Sequence, residues 1–409
     1  MMAMLAVPLI GSAGVAIDVT QANATRSAFQ NALDATALAM SKTAATQSAA
    51  DLQAAATAHF NAVFTSAQAA NVAVTATYTA TAGSKLTLNG TATLKTNVLG
   101  ILGYGDIEIA AAATSTWGET RLRVALVLDN TGSMSSASKM AALKTASQNM
   151  LTQLRNAALL PEDVYVSIVP FSKDVNVGAD KYDRSWISWA LWEAVNGTCS
   201  NTSYKSKSSC EQRGRVWTPA PRDTWNGCVT DRDQNYDTTN DAPVAGGTLY
   251  PAEQYESCPA AVMPLSNDWT ALSARIEAMQ PAGNTNQAIG LQMGWQTLTA
   301  PPFAVPEYDP HYQYNQVIIL LTDGLNTENR WYTNQSSINA RQQKTCDNIK
   351  AAGVTLYAVQ VNTGNDPASA LLKSCASTTS KYFLLTSGNQ IVTTFNQIGT
   401  ALSQLRLSQ

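Results

Sequence analysis

The sequence is poor in charged side chains and in histidine. Lysine, arginine, aspartate and glutamate make up 13% of the 409 residues, and the net charge is −3. A soluble domain usually carries ~25% of these residues. No long basic run is present, so nothing indicates a nucleic-acid-binding protein. The chain has only two histidines, which argues against a zinc site built on several imidazoles.

The sequence also lacks any Cys-x-x-Cys arrangement. An even number of cysteines outside such motifs favours disulfides over zinc. By proximity along the chain we expect three pairs, Cys199 with Cys210, Cys228 with Cys258, and Cys346 with Cys375. The first four cysteines allow three pairings, so this choice stays open. Disulfides persist in oxidising compartments, which indicates the periplasm or the cell surface.

The N-terminal segment Met1 to Ile17 contains no charged residue. It is slightly short of the ~20 residues that span a bilayer as a helix, and no basic segment precedes it as in a secretory signal. Either a basic leader is missing from the start or the segment is a short membrane anchor. The alternative is a buried N-terminal helix of a soluble protein.

The next segment, Asp18 to Thr65, has no proline or glycine, and Phe29, Leu33 and Met40 recur at helical spacing. We predict one long helix, or two end to end, continuing from the apolar segment. A long helix with an apolar N-terminal half is typical of a pilin subunit. Residues 1–66 are therefore predicted to form a membrane-associated, pilin-like helical region.

From Val72 the apolar period changes to two, which is typical of strands. Leu86 and Leu88 alternate with polar residues, as do Ala92 and Leu94, and Asn89-Gly90 between them is a turn signal. We predict a small antiparallel sheet over residues 67–118.

Beyond residue 119, apolar strands alternate with helices. The predicted strands are Val124–Leu128, Val164–Val169, Val317–Leu321, Val354–Val361 and Lys381–Leu385, and the predicted helices are Ser138–Ala157, Ile338–Ala352 and Asn389–Leu407. Apolar strands that alternate with helices predict a parallel sheet covered on both faces. The fold class is therefore α/β, a Rossmann-like doubly wound sheet over residues 119–409.

An insertion interrupts this alternation between about residues 174 and 264. It contains four of the six cysteines, and a run of this length without regular elements is normally functional or disordered. The cysteines favour a disulfide-stapled insertion. Its tryptophans form either a platform for a partner or glycan, or the insertion's own core. They are Trp186, Trp189, Trp192, Trp217 and Trp225.

Oxygen-bearing side chains follow two of the apolar strands. Asp129, Thr131 and Ser133 come directly after Val124–Leu128, and their alternation lets them point to one place above the sheet. Asp323 follows the strand Val317–Leu321 in a Thr-Asp-Gly motif, and Thr285 lies in a loop that opens a helix. Ligands of open parallel sheets bind at the carboxyl ends of the strands.

Carboxylates combined with hydroxyls form a hard-oxygen set, which suits Mg²⁺ or Mn²⁺. The alternative is that these side chains only cap helices and turns.

The order Asp129-x-Thr131-x-Ser133, then Thr285, then Asp323 resembles the metal-ion-dependent adhesion site of von Willebrand factor A domains. That family usually has serine where Thr131 stands, and threonine keeps the hydroxyl. The resemblance implies that Thr131, Ser133 and Thr285 bind a divalent metal, Mg²⁺ foremost, with Mn²⁺ or Ca²⁺ as alternatives. Asp129 and Asp323 would act directly or through water. In the family a partner's carboxylate often fills the open metal position, so an acidic protein partner is expected.

The N-terminal residues carry a second resemblance. Gly14–Asp18, followed by Arg26, Gln30, Leu33 and Asp34, is similar to the N-terminus of TadG-like proteins of the tight-adherence (Flp) pilus assembly system. That family places a von Willebrand factor A domain after a pilin-like helix. The resemblance implies a protein anchored in a bacterial inner membrane and facing the periplasm, or one associated with the cell surface or a pilus. The partner would be a pilus or envelope component.

Little in the sequence predicts an enzyme. Asn130 interrupts the Asp-Thr-Gly of aspartic proteases, and Thr131 stands where a phosphotransferase would need a second carboxylate. The chain also lacks a Gly-x₄-Gly-Lys loop. We therefore expect a binding protein without catalytic residues. The alternatives are a minor pilin-like subunit that polymerises through its N-terminal helix and, less favoured, a hydrolase.

Overall fold

The computed structural model describes residues 2–67, 69–80, 84–96, 98–101, 105–117, 120–299, 301–310, 312–363 and 368–407. The side chains of residues 2–14 lie outside this description, so the predicted membrane segment is described there only as backbone. The chain divides into two compact units. One comprises Met1–Thr120, Pro310–Tyr312 and Arg406–Gln409, and the other comprises Arg121–Asp309 and Gln313–Leu405.

Two helices of the first unit, α1 (Met2–Ser41) and α2 (Ala49–Val63), pack against each other in opposite directions. The Phe29 ring of α1 lies 5.1 Å from that of Phe60 in α2, and Thr36 contacts His59. The predicted long N-terminal helix is confirmed as α1, but its expected continuation by a second helix end to end is wrong, because the chain reverses between α1 and α2. Among the described residues, a search for a helical stretch that could pass through a lipid bilayer found none.

The predicted small antiparallel sheet is confirmed. It contains β1 (Ala69–Thr79), β2 (Ser84–Leu94) and β3 (Ile107–Trp117), with the short helix α3 (Val98–Ile101) before β3. The turn predicted at Asn89-Gly90 is wrong, because both residues lie inside β2. A Cβ atom on Gly90 would lie 2.7 Å from the Phe29 ring. The glycine therefore lets α1 approach the sheet, which is a common reason for glycine inside a strand.

The second unit contains the remaining strands and helices. In chain order they are β4 (Thr120–Asp129), α4 (Lys139–Ala157), β5 (Val164–Phe171), β6 (Val175–Asn176), β7 (Ile187–Ser188), α5 (Ala190–Val195), β8 (Gly197–Cys199), α6 (Lys207–Glu211), β9 (Trp217–Pro219), β10 (Cys228–Val229), β11 (Tyr250–Pro251), β12 (Met263–Ser266), α7 (Trp269–Glu277), α8 (Gln287–Thr299), β13 (Gln313–Thr322), α9 (Gln335–Ala351), β14 (Thr355–Val361), α10 (Ala370–Cys375), β15 (Tyr382–Leu385) and α11 (Asn389–Leu407).

The large sheet of this unit has the order β10-β6-β5-β4-β13-β14-β15, with β12 also paired to β5. β5 runs parallel to β4, and β14 runs parallel to both β13 and β15. The predicted α/β fold with a parallel sheet is thus confirmed for the centre. The sheet is mixed at one side, because β6, β10 and β12 pair antiparallel. Antiparallel strands need no crossover helix, so short segments in and beside the insertion can add to this edge.

Helices cover both faces of the sheet, as predicted. Every residue of β4 is buried. Along this strand Ala125 and Val127 belong to the core under α8, α9 and α10, whereas Val124, Leu126 and Leu128 belong to the core under α4, α7 and α11. Because β4 is packed on both faces, its carboxyl end is held in a fixed position. The residues that follow it are therefore placed precisely relative to the sheet.

The insertion is built from short elements held by two disulfides. The pairs are Cys199–Cys210 and Cys228–Cys258, and a third disulfide, Cys346–Cys375, joins α9 to α10. All three pairings expected by proximity are present.

The tryptophans of the insertion do not form an exposed platform. Trp189, Trp192 and Trp225 are buried in the core that continues under the sheet, and Trp217 is buried beside the Cys199–Cys210 disulfide. The Trp189 ring packs edge-on against the Trp192 and Trp225 rings at 5.5 and 5.3 Å. The platform interpretation is therefore wrong, and the core interpretation holds in its literal form for Trp217, whereas Trp189, Trp192 and Trp225 join the main core of the domain.

Candidate metal centre

Asp129, the last residue of β4, is fully buried and ties two strand ends together. Its Oδ1 accepts hydrogen bonds from the Thr131 backbone N–H at 2.9 Å and from the Thr131 hydroxyl at 2.5 Å. Its Oδ2 accepts a hydrogen bond of 2.6 Å from the hydroxyl of Thr322, the last residue of β13. The carboxylate therefore fixes the orientation of both hydroxyls and the spacing of the two strand ends.

A chain of oxygen atoms runs on from Thr131 to the second strand end. The Thr131 and Ser133 hydroxyl oxygens are 3.1 Å apart, and the Ser133 hydroxyl donates a hydrogen bond of 2.6 Å to Asp323 Oδ1. Four of the predicted residues, Asp129, Thr131, Ser133 and Asp323, thus lie in one connected network at the carboxyl ends of β4 and β13.

Thr285 lies in the loop before α8. It lines the same cavity as Ser133 and Asp323, and this cavity has a volume of about 420 Å³. Backbone bonds hold this loop against the first strand end, since Gly132 N–H donates to Gly283 carbonyl at 3.0 Å. Thr285 N–H in turn donates to the Thr327 hydroxyl at 2.8 Å. All five predicted site residues therefore gather at one edge of the sheet.

The loop of Thr285 requires a glycine. Gly283 has a φ of +81°, and a Cβ there would lie 2.4 Å from the Tyr255 hydroxyl oxygen. That hydroxyl accepts a hydrogen bond of 2.9 Å from Asn284 N–H. Tyr255 belongs to the insertion, so the insertion helps to shape the loop that carries Thr285.

Sequence reasoning missed Lys139. This first residue of α4 is almost fully buried, and its ammonium group contacts Asp323 Oδ2. A cation at a helix N-terminus is unfavourable relative to the helix dipole. A lysine at the predicted start of a helix, close to an acidic site, was therefore a signal available in the sequence.

Burial sets the electrostatics of the centre. Together with the negative charge of Asp323, it raises the pKa of Asp129 from 3.8 to about 6. The hydrogen bonds from Thr131 and Thr322 lower it and only partly offset the rise. A buried carboxylate with a raised pKa is stabilised by any positive charge placed beside it.

The oxygen geometry fits a divalent cation. Mg²⁺ takes octahedral oxygen ligands at about 2.1 Å, which sets neighbouring ligand oxygens about 3 Å apart. The 3.1 Å between the Thr131 and Ser133 hydroxyls matches this spacing. Within the described ranges, no group of three or more His, Cys, Asp or Glu could hold a metal. A cation here would thus depend on hydroxyl oxygens from Thr131, Ser133 and Thr285, with Asp129 and Asp323 behind them.

The sequence of this unit matches a known domain family. Residues 252–397 match the von Willebrand factor type A domain. The match begins near the end of the insertion, includes Thr285 and Asp323, and does not reach back to Asp129, Thr131 and Ser133. The second unit thus contains a von Willebrand factor type A domain, and its α/β sheet with helices on both faces agrees with that match.

Several solved structures are similar to this chain. The pilus adhesin SpaC from Lactobacillus rhamnosus GG, in its open conformation, is 14% identical with a TM-score of 0.39, over 84% of this chain and 35% of SpaC. The vWF domain of the type V pili tip protein Mfa5 from Porphyromonas gingivalis is 11% identical with a TM-score of 0.40, over 71% of this chain and 97% of that domain. A variant of the PilB minor pilin from Streptococcus sanguinis is 12% identical with a TM-score of 0.37, over 82% of this chain and 79% of the pilin.

This chain thus spans about a third of the length of SpaC. A search of curated proteins found no significant match.

Proposed function

We propose that this chain is a membrane-anchored, extracytoplasmic protein of tight-adherence (Flp) type pilus assembly or adhesion. Its von Willebrand factor type A domain binds an acidic side chain of a protein partner through a divalent cation. The observation that carries the proposal is the network of Asp129, Thr131, Ser133 and Asp323 oxygens. This network opens into a cavity that Thr285 also lines.

The ligand set explains why an acidic partner would bind. Hydroxyls of Thr131, Ser133 and Thr285 are neutral donors, so they leave more positive charge on a bound cation than carboxylates would. The buried Asp129 carboxylate holds the Thr131 hydroxyl in place, as outer partners of metal ligands commonly do. The cation, most favourably Mg²⁺, supplies an open coordination position for a carboxylate oxygen.

Lys139 gives the same network a counter-charge when no cation is bound. Its ammonium contacts Asp323 Oδ2, and both side chains are buried. A cation that binds beside Asp323 must compete with this ion pair. Lys139 therefore weakens cation binding and keeps the buried acidic pair compensated.

The cellular assignment rests on two independent features. The three disulfides indicate an oxidising compartment outside the cytoplasm. The N-terminal resemblance to TadG-like proteins supports membrane anchoring through α1 and a partner in the pilus or envelope.

The alternative is a minor pilin-like subunit that polymerises through α1. One observation favours it, since Ile17 and Val19 of α1 are 56% and 46% exposed and could pack against another copy. Immunogold-labelled micrographs separate the two. Label along the whole pilus supports polymerisation, whereas label at the base or the cell envelope supports the assembly role.

The binding proposal is tested with Mn²⁺ as a paramagnetic probe on the full chain. Water-proton relaxation reports water molecules on bound Mn²⁺. A short peptide with one aspartate should displace such water and lower the relaxation enhancement, and the same peptide with asparagine should not. The Ser133→Ala variant should show a smaller Mn²⁺ enhancement than the parent and no peptide effect.

Two results would contradict the proposal. One is an equal response to the aspartate and asparagine peptides. The other is an unchanged response in Ser133→Ala, with the variant's circular dichroism confirming that it is folded.

A further inference from the structure

A second group of buried oxygen atoms lies next to the metal centre along the chain. Both carboxylate oxygens of Asp174, the hydroxyl oxygen of Thr230 and the side-chain carbonyl oxygen of Asn286 have no hydrogen-bond partner among the described residues. The three residues are at most 1% exposed. Buried polar atoms are nearly always hydrogen-bonded, so four orphaned oxygens in one place require an explanation.

Three segments of the second unit bring these atoms together. Asn286 follows Thr285, and its backbone N–H donates a hydrogen bond of 3.0 Å to the Ser172 carbonyl, in the turn after β5 that also contains Asp174. The Asn286 amide Nδ2 donates to both carboxylate oxygens of Asp231, at 2.9 and 3.1 Å. Asp231 follows Thr230 in the insertion.

The orientation of the Asn286 side chain follows from these bonds. Its Nδ2 is used by the Asp231 carboxylate, so its Oδ1 is the oxygen left without a donor. The Thr230 hydroxyl lies near the Asp174 carboxylate and opposes the rise in its pKa, although the two do not meet hydrogen-bond geometry. The residues that carry the orphaned atoms are therefore neighbours contributed by different segments.

The charges around these atoms do not balance. The negative charges of Asp231 and Glu253 both act on the Asp174 carboxylate, and one ammonium, that of Lys173, lies beside Asp174 and Glu253. That ammonium contacts Glu253 and lies 3.8 Å from Asp174 Oδ1. The guanidinium of Arg330 donates hydrogen bonds to the Asp233 carboxylate at 2.8 Å and to the Asp231 backbone carbonyl at 2.9 Å, so it does not pair with the Asp231 carboxylate. The carboxylates of this group thus outnumber its ammonium.

The pKa values of the buried acids reflect this shortage. Burial, followed by the negative charge of Glu253, raises the pKa of Asp174 well above its usual value. Burial also raises the pKa of Asp231 to about 6, even though Arg330 N–H and Asn286 donate to it. The Lys173 ammonium lowers the pKa of Asp174 but offsets the rise only in part, so a further positive charge would favour the ionised forms of both acids.

We propose that a divalent cation binds here, held by the Asp174 carboxylate, the Thr230 hydroxyl and the Asn286 carbonyl. Carboxylate, hydroxyl and amide oxygens together, without nitrogen or sulfur, are the ligands that Ca²⁺ takes in flexible geometry. Two of the three ligands are neutral, so the group differs from a cluster of acids or histidines. The ion links the insertion to the loop of Thr285 and holds that loop in place.

This second site uses none of the five residues of the first centre, so it does not depend on the proposed function. It can be measured with the first centre disabled. The full chain carrying Asp129→Ala and Ser133→Ala is stripped with chelator and titrated with Ca²⁺ by calorimetry. We expect one Ca²⁺ bound. Adding Asp174→Asn should weaken that binding at least tenfold, and Thr230→Val should weaken it as well.

A thermal unfolding comparison separates a cation site from a protonated acid or a buried water. In chelator, Asp174→Asn should unfold at a temperature equal to or above that of the parent, because the variant lacks the unpaired buried charge. In Ca²⁺ the order should reverse, because only the parent gains stability from the bound ion. A crystal soaked in Mn²⁺ should show an anomalous peak within about 2.6 Å of Asp174 and Asn286 oxygens.

The proposal is overturned if the folded chain with the first centre disabled binds no Ca²⁺. It is also overturned if Ca²⁺ stabilises Asp174→Asn as much as the parent. Should Asp174→Asn fail to fold, the same comparison with Thr230→Val decides, since that change keeps the side-chain shape and removes one ligand oxygen.

Discussion

At the residue scale, Asp129 connects the stability of the domain to pH. Its pKa is raised to about 6 by burial and by Asp323, against 3.8 in an unfolded chain. Between these pH values the folded protein holds a proton that the unfolded chain has lost. Protonation of Asp129 therefore favours the folded state. Its contribution to the free energy of unfolding is fully present below about pH 4 and is lost as the pH rises through 6.

The prediction concerns the metal-free protein. In chelator, Asp129→Asn should stabilise the chain relative to the parent as the pH rises from 4 to 7.5, by up to about 3 kcal/mol. Urea unfolding of both proteins across this range measures the difference. An equal pH dependence in parent and variant would show that the Asp129 carboxyl is not perturbed in this way.

Lys139 provides a second prediction at this scale. Because its ammonium competes with a cation for Asp323, Lys139→Gln should tighten Mg²⁺ binding about tenfold, or ~1.4 kcal/mol. The matched control is Lys144→Gln on the same helix, since the Lys144 ammonium donates to the Glu277 carbonyl, outside the centre. Calorimetric titration compares the two variants. Weaker Mg²⁺ binding in Lys139→Gln would instead make the lysine a support of the site.

At the scale of elements, Gly90 tests how α1 packs on the small sheet. Gly90→Ala places a Cβ 2.7 Å from the Phe29 ring, in a core where both are buried. Overpacking of this kind typically costs 1–3 kcal/mol, so we expect a loss of about 2 kcal/mol in unfolding free energy. Gly105→Ala is the control, because nothing lies within 4 Å of its added Cβ. Equal stability of both variants would contradict the packing described.

The helices and strands could be predicted from the sequence only in part. The central strands and their helices could be predicted, because a continuous apolar run such as Val317–Leu321 indicates a strand whose two faces are both buried. The reversal between α1 and α2 could not, since helical spacing does not reveal where a segment without proline or glycine turns back. The turn predicted at Asn89-Gly90 failed for another reason. Gly90 is a glycine because the Phe29 ring, remote in sequence, packs where a side chain would stand.

The candidate site was predictable for a topological reason. The carboxyl ends of neighbouring strands meet at one edge of the sheet, so Asp129 and Asp323 had to approach each other. Lys139 and the oxygens of Asp174 and Thr230 were not predicted. Their role depends on which groups are left without partners, and only the packed structure determines that.

At the scale of the whole molecule, the insertion is part of the domain's architecture. It separates Asp129, Thr131 and Ser133 from Thr285 and Asp323 in sequence, although the fold brings all five to one edge. Its Tyr255 shapes the Thr285 loop through Asn284, and its tryptophans extend the core. We expect changes in the insertion to alter cation binding at the centre without direct contact.

We propose that the five predicted residues form one cation-binding centre. Its most direct test is a calorimetric titration of Mg²⁺ into the chelator-treated full chain, with Asp129→Ala, Ser133→Ala as the disabled variant. Thr131→Ser, which keeps the hydroxyl, is the matched control. The account predicts one Mg²⁺-binding event in the parent and in Thr131→Ser that is missing from the disabled variant. Equal binding by all three proteins, or none by the parent, would contradict it.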